Sequence, residues 1–201
     1  MPAGVRAWPV PAIATGAALL AGLVAAPFGD LLQIAASAVL GGTMAAIAAE
    51  DFRRFRVPDS WNFLAALAGL ATAWLAARSA GSDPLAALGA AALHGALCGG
   101  ALWLLREAFL RLRGIDGLGL GDVKLAATGG IWLGWQGFPY AVMLAALSAL
   151  ATVALFSRLH GAWPRQRKIP FALHLAPAIW ACWYFLTLSP LGASGTQPAF
   201  F

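Results

Sequence analysis

Gly117-Leu118-Gly119-Leu120-Gly121-Asp122-Val123-Lys124 delivers a carboxylate, by way of a glycine-rich approach, to the mouth of an apolar segment of membrane character. An acid there needs a reason, because ionisable groups at membrane depth are costly and usually face a protein interior or a wet cavity where they do a job. A second acid, Asp51, ends another apolar segment, just ahead of Phe52-Arg53-Arg54-Phe55-Arg56-Val57-Pro58-Asp59.

The composition around these two acids is that of a multi-span membrane protein. Of 201 residues, 61% are hydrophobic and only 10% charged, with a mean hydropathy of +0.77, too apolar for a soluble domain of this size. A net charge of +5 and a pI near 10.0 raise the question of nucleic acid. The basic residues lie in short loops between apolar segments, however, where they act as topology signals and attract anionic lipid; no nucleic-acid partner is expected. Cys98 and Cys182 both fall inside apolar segments, so they define neither a disulfide framework nor a four-ligand zinc site and are expected to pack. Arg6 followed by the apolar run to Ala26 has the outline of a signal peptide, but Pro27 disfavours a cut after Ala26; the segment is expected to be a retained span.

Apolar runs follow one another as Val10 to Ala26, Leu31 to Ala49, Trp61 to Ala77, Leu85 to Leu105, Val123 to Trp135, Phe138 to Phe156 and Ile169 to Leu188. They predict an all-α, polytopic bundle of about seven spans in a single domain over residues 1–201. Most approach the ~20 residues needed to cross a bilayer. Val123 to Trp135 is shorter, as expected of a helix that starts below the membrane surface in a protein-lined cavity, where irregular backbone is tolerated. With seven crossings, Arg6, Arg53, Arg54, Arg56, Arg106, Arg111, Arg113, Lys124, Arg158, Arg165, Arg167 and Lys168 fall on one face and Arg78 on the other. The positive-inside rule makes the first face cytoplasmic, with the N-terminus in and the C-terminus out. Because the chain crosses twice between Asp51 and Asp122, both carboxylates return to that face.

Peptide hydrolysis by carboxylates needs two of them around one water, one ionised as general base and one protonated to polarise the scissile carbonyl. Such a pair shares a proton and titrates as a unit. Glycines before Asp122 let backbone pass close to an extended substrate. These features suggest an aspartyl protease built into a membrane, with no metal and no cofactor.

Gly119-Leu120-Gly121-Asp122-Val123-Lys124-Leu125 resembles the GxGD signature of type IV prepilin leader peptidases, and Asp51 with its Arg-rich continuation and Val57-Pro58-Asp59 resembles that family's first aspartate motif. Lys168-Ile169-Pro170-Phe171, at the start of the last span, looks like a third recurring element, and the likeness runs from about Ala45 to Ala178. The resemblance implies a membrane aspartyl endopeptidase of the bacterial inner membrane. It would cut the short basic leader from prepilin-like precursors, whose apolar helix follows the leader, at the cytoplasmic face. Asp51 and Asp122 would be the catalytic pair, supported by Gly119, Gly121, Lys124, Pro58 and Pro170. Bifunctional members also methylate the new N-terminus and carry a cytoplasmic insertion with paired Cys-x-x-Cys motifs. Only about four residues separate the first two spans here, so the chain looks like the short, peptidase-only type of Flp or tight-adherence pili. Ala172 stands where many relatives have glycine. Neither the particular pilin substrate nor the oligomeric state follows from the sequence.

The remaining polar residues have plainer expected roles. Glu50 should be solvated or paired with an arginine, Asp59 should cap the helix starting near Ser60, and Asp116 should be a turn residue. Lys124 lies about 200° round a helix from Asp122 and is expected at the lipid headgroups. The i, i+4 pair His94 and Cys98 is too few ligands for a metal. Gly95 to Gly99, and Gly130 to Gly134, have the spacing of helix-packing motifs. His174 could approach the substrate cavity from the last span, but is expected to be a satisfied core histidine. Trp8, Trp61, Trp135 and Trp163, near span ends, read as interface anchors. A small proton- or cation-coupled carrier is the alternative use of two such aspartates, but carriers place acids near the midplane and often show repeated halves.

Overall fold

The computed structural model describes residues 9–114, 118–160 and 170–188. Among them the regular structure is all helical, in the order α1 (Val10–Ala25), α2 (Leu31–Arg54), α3 (Asp59–Ser79), α4 (Pro84–Arg113), α5 (Leu120–His160) and α6 (Phe171–Thr187). Helices α2 to α5 are long and apolar enough to cross a membrane, and α1 and α6 are shorter apolar helices. The chain is thus a polytopic helical membrane bundle.

Local chemistry sets the starts. At α2, Asp30 Oδ1 accepts the Gln33 N–H at 2.8 Å while Gln33 Oε1 accepts the Asp30 N–H at 2.9 Å, a capping box. At α4, Asp83 accepts the Leu85 N–H at 2.9 Å and Pro84 opens the first turn. Pro58 and Pro170 stand at the N-caps of α3 and α6 in extended conformation.

The apolar runs Val123 to Trp135 and Phe138 to Phe156 are joined in α5 and broken inside it at Gly134, whose φ of 66° and ψ of 171° are not helical. The chain turns back there. A Cβ on Gly129 would lie 2.7 Å from the ring of Phe138, whereas nine residues of straight helix would separate the two by about 13 Å. Residues 120–133 and 135–160 are therefore two arms, which is why one element accounts for two of the expected spans. The expectation of packing at both Gly130 and Gly134 is corrected accordingly: Gly130 packs, its Cβ position 2.5 Å from the His94 carbonyl oxygen, and Gly134 is the break.

Close helix approach through small residues recurs. Cβ atoms on Gly95 and Gly99 would meet the Ala127 carbonyl oxygen and Ala127 Cβ, each at 2.9 Å, and a Cβ on Gly42 would meet Ala18 at 2.9 Å. In lipid such contacts supply packing that the hydrophobic effect cannot. Leu40, Met44, Ile47, Leu125, Leu175 and Ile179 fill the centre. Not every tryptophan is an interface anchor: Trp132 and Trp183 are buried and meet edge to face with ring centroids 5.7 Å apart. Trp135 is exposed, Trp61 is half-buried against the core, and Trp8 and Trp163 lie outside the described residues.

A polar seam joins α3 to the first arm of α5. Lys124 Nζ contacts Asp59 Oδ1 at 2.6 Å, Thr128 Oγ1 donates to Asn62 Oδ1 at 3.0 Å, and Trp132 Nε1 donates to the Ala65 carbonyl at 2.8 Å. Positions 124, 128 and 132 form one stripe of a helix, and their partners advance along α3 in the same direction. Both segments therefore begin at the same end of the bundle, the end that carries the acids.

Candidate active site

Asp51 lies in the last turn of α2 and is only 6% exposed. Four residues later Phe55 takes a left-handed conformation, φ 53°, and closes the helix by donating its N–H to the Asp51 carbonyl at 2.9 Å. That turn redirects the chain so that Val57 meets the start of α5: a Cβ on Gly121 would lie 2.9 Å from Val57 Cβ. Gly121 is needed here for space. Gly119 precedes the first residue of α5, and Asp122, in the first turn, receives the Gly119 backbone N–H. A Cβ on Gly119 would sit 3.3 Å from Asp122 Oδ2, a tighter fit than usual that a side-chain adjustment relieves.

Asp51, Asp122, Gly119, Gly121, Val57 and Phe55 line one cavity of about 330 Å³, with Lys124, Asp59 and Arg56 also on its wall. The two acids named from the sequence thus open into a common space at one end of the bundle. Lys124 bonds Asp59 at the cavity wall, a partner the sequence reading did not foresee, and one expectation is corrected: Asp59 is the first residue of α3, with no side-chain capping bond, rather than its cap. The angle between Lys124 and Asp122 on their own helix said nothing of what α3 places opposite. Glu50 pairs with Arg54 at 3.3 Å. Asp116, Gly117, Lys168 and Ile169 lie outside the described residues.

What holds Asp51 has no signal in the sequence. Its Oδ2 accepts the Leu173 N–H at 2.9 Å, and the Ala172 N–H also reaches it. These are unpaired donors of the first turn of α6, which Pro170 starts. Backbone donors have no residue signature; the Pro170-Phe171 element marked a helix start but not the acid it faces. The next residue, His174, sits beside Asp51 and places Nδ1 3.0 Å from Ser148 Oγ on the second arm of α5. Arg106 is also more than a topology signal, since its Nε donates to the Leu118 carbonyl at 3.0 Å and ties α4 to the approach to Asp122. Among the described residues no group of three His, Cys, Asp or Glu converges as a metal site would require.

Two carboxylates on one cavity, one on a helix end and one on a glycine-framed helix start, can exchange protons with a water held in that cavity. The chain is similar to several known proteins. A prepilin leader peptidase/N-methyltransferase of Burkholderia pseudomallei is 35% identical over 188 residues, which are 92% of this chain and 57% of that protein. One of Klebsiella pneumoniae is 36% identical over 143 residues, 71% of this chain and 58% of that protein. Another, of Dickeya chrysanthemi, is 48% identical over 59 residues, 29% of this chain and 21% of that protein. The chain thus spans little more than half the length of the Burkholderia and Klebsiella relatives. No solved structure matches it significantly. The profile of the type IV leader peptidase family aligns with residues 38–155, a segment holding both carboxylates, the turn between α2 and α3 and the glycine approach; the chain belongs to that family.

Proposed function

We propose that this chain is an aspartyl endopeptidase that removes the short basic leader from prepilin-like precursors at the cytoplasmic face of the bacterial inner membrane. The observation that carries the reading is the common cavity of Asp51 and Asp122, within a chain of the leader peptidase family. One carboxylate, ionised, takes a proton from water as the water oxygen adds to the scissile carbonyl carbon. The other, protonated, gives its proton to the carbonyl oxygen. In the collapse of the resulting diol the first returns its proton to the leaving nitrogen, the second takes one from a hydroxyl, and the C–N bond breaks. Both acids are then back in their starting states.

The supporting residues act through geometry. Gly121 admits Val57, Pro58 starts α3, Lys124 bonds Asp59 at the cavity wall, and Pro170 starts the helix that faces Asp51. The short connection between α1 and α2, residues 26–30, supports a peptidase-only reading of this chain as one domain. The basic side chains fit contact with anionic lipid. The carrier alternative gains no support from the comparisons. Co-expression with Flp-type prepilins and N-terminal sequencing of the products tests the proposal; precursors that keep their leader would overturn it.

A further inference from the structure

The two acids of the cavity are held differently. Asp51 receives two backbone N–H groups from the first turn of α6, one of them at 2.9 Å, and has the imidazole of His174 beside it. Asp122 receives one N–H, from Gly119. Hydrogen bonds donated to a carboxylate favour its ionised form and are about twice as strong as neutral ones. The other influences do not favour Asp51. Each acid faces the positive end of a helix, α6 for Asp51 and α5 for Asp122. Against Asp51 stand its deeper burial and its place in the last turn of α2, where the helix end disfavours an anion by about 0.3–1 kcal/mol. The imidazole beside Asp51 is a group that can offset them.

His174 is placed to do so. Ser148 Oγ lies 2.9 Å from the Ala145 carbonyl oxygen and 3.0 Å from His174 Nδ1. With the hydroxyl hydrogen assigned to the carbonyl, Oγ offers lone pairs to an Nδ1–H, and Nε2 is the ring position left to gain or lose a proton. Burial works against a proton there and the Asp51 carboxylate beside it works for one; with the proton in place the ring is a cation next to Asp51. We propose that Asp51 is the ionised, water-activating member of the pair, that Asp122 carries the proton, and that His174, held by Ser148, is the positioning residue that keeps them so. This assignment rests on the aspartyl peptidase reading above.

Chemical labelling locates the proton without relying on turnover. A diazoacetyl ester consumes the proton of an un-ionised carboxyl as it esterifies it, whereas an epoxide is opened by an ionised carboxylate. Applied to the full chain in detergent and mapped by peptide mass spectrometry, the diazo reagent should mark Asp122 and the epoxide Asp51. His174→Ala should bring diazo label to Asp51 and lower kcat about tenfold or more, with KM within about twofold, within the range of an acid–base contribution. Ser148→Ala, which frees Nδ1 but keeps the ring, should move both readouts the same way by less, and serves if His174→Ala fails to fold. Reversed labelling in the wild type overturns the assignment, and wild-type kcat and labelling in both variants overturn the role of His174. Undiminished cleavage by Asp51→Asn and Asp122→Asn would instead refute the peptidase reading, an outcome separate from either of these.

Discussion

Val57 occupies the space that a side chain on Gly121 would need: the Cβ position at 121 is 2.9 Å from Val57 Cβ, 3.0 Å from its Cγ2 and 3.5 Å from its backbone nitrogen. Contacts this short with a β-branched residue are relieved only by moving backbone. The segment after Asp51 and the turn before Asp122 meet there, on the wall of the common cavity.

Gly121→Ala should therefore insert normally and cleave poorly. Parting the two segments by even an ångström misplaces one acid, a change able to lower the rate about a hundredfold. Gly119→Ala meets only the movable Asp122 carboxylate at 3.3 Å and should lose much less. Initial rates on a prepilin substrate at equal membrane content rank the two; equal activity would show that the contact does not position the acids.

Asp51→Asn and Asp122→Asn should each abolish leader cleavage while leaving the protein in the membrane. Either change removes one of two proton-exchanging groups and little of the packing. Glu50→Gln should retain activity, because Glu50 pairs with Arg54 on an adjoining face, and so should Asp116→Asn. Precursor processing followed by gel mobility reads all four, and cleavage by both asparagine variants would sink the two-aspartate mechanism.

Hydropathy made the bundle legible, since each apolar run became a helix or an arm of one, and the motifs drew attention to Asp51 and Asp122. What stayed hidden was set by contacts between distant segments. Gly134 has the spacing of a packing glycine with Gly130, and only the tertiary fold gives it φ 66°. The Leu173 N–H on Asp51 bridges 122 positions and involves no side chain of Leu173. Lys124 and Asp59 find each other because α3 and α5 start at one end of the bundle, which neither helix shows alone.

Gly134→Ala should lower the thermal unfolding midpoint in detergent. An alanine held in so sparsely populated a conformation costs about 1–3 kcal/mol, and relaxing to helix would unbend α5 and withdraw Ser148 from His174. Gly89→Ala in α4, with nothing within 4 Å of the new methyl, should be neutral or stabilising by up to about 1 kcal/mol. Matching midpoints for Gly134→Ala and the wild type would show that the break is not a strained glycine position.

Chelators should leave cleavage unchanged. The cavity wall offers Asp51, Asp59 and Asp122, but Asp59 is engaged by Lys124 at 2.6 Å, and the described residues bring no three ligating side chains together, fewer than a catalytic zinc needs from the protein. Loss of activity in EDTA, restored by zinc, would require a different mechanism.

The end of the bundle that carries the cavity should face the cytoplasm. Helix α3 runs from Asp59 beside the cavity to Ser79 at the other end, 21 residues or about 31 Å of helix, enough to cross the hydrocarbon core. Arg53, Arg54, Arg56, Arg111, Lys124 and Arg158 lie toward the cavity end, and Arg78 toward the other; Arg56 and Arg78, which bracket α3, are both exposed. The positive-inside rule orients such a helix with Arg56 in the cytoplasm. In a background with Cys98 and Cys182 replaced, a membrane-impermeant maleimide should label Arg78→Cys in spheroplasts and Arg56→Cys only in inverted vesicles. The opposite pattern would put both carboxylates outside the cell, where a precursor awaiting leader removal in the cytoplasm cannot reach them. Labelling of both positions from one side would mean that α3 does not cross at all.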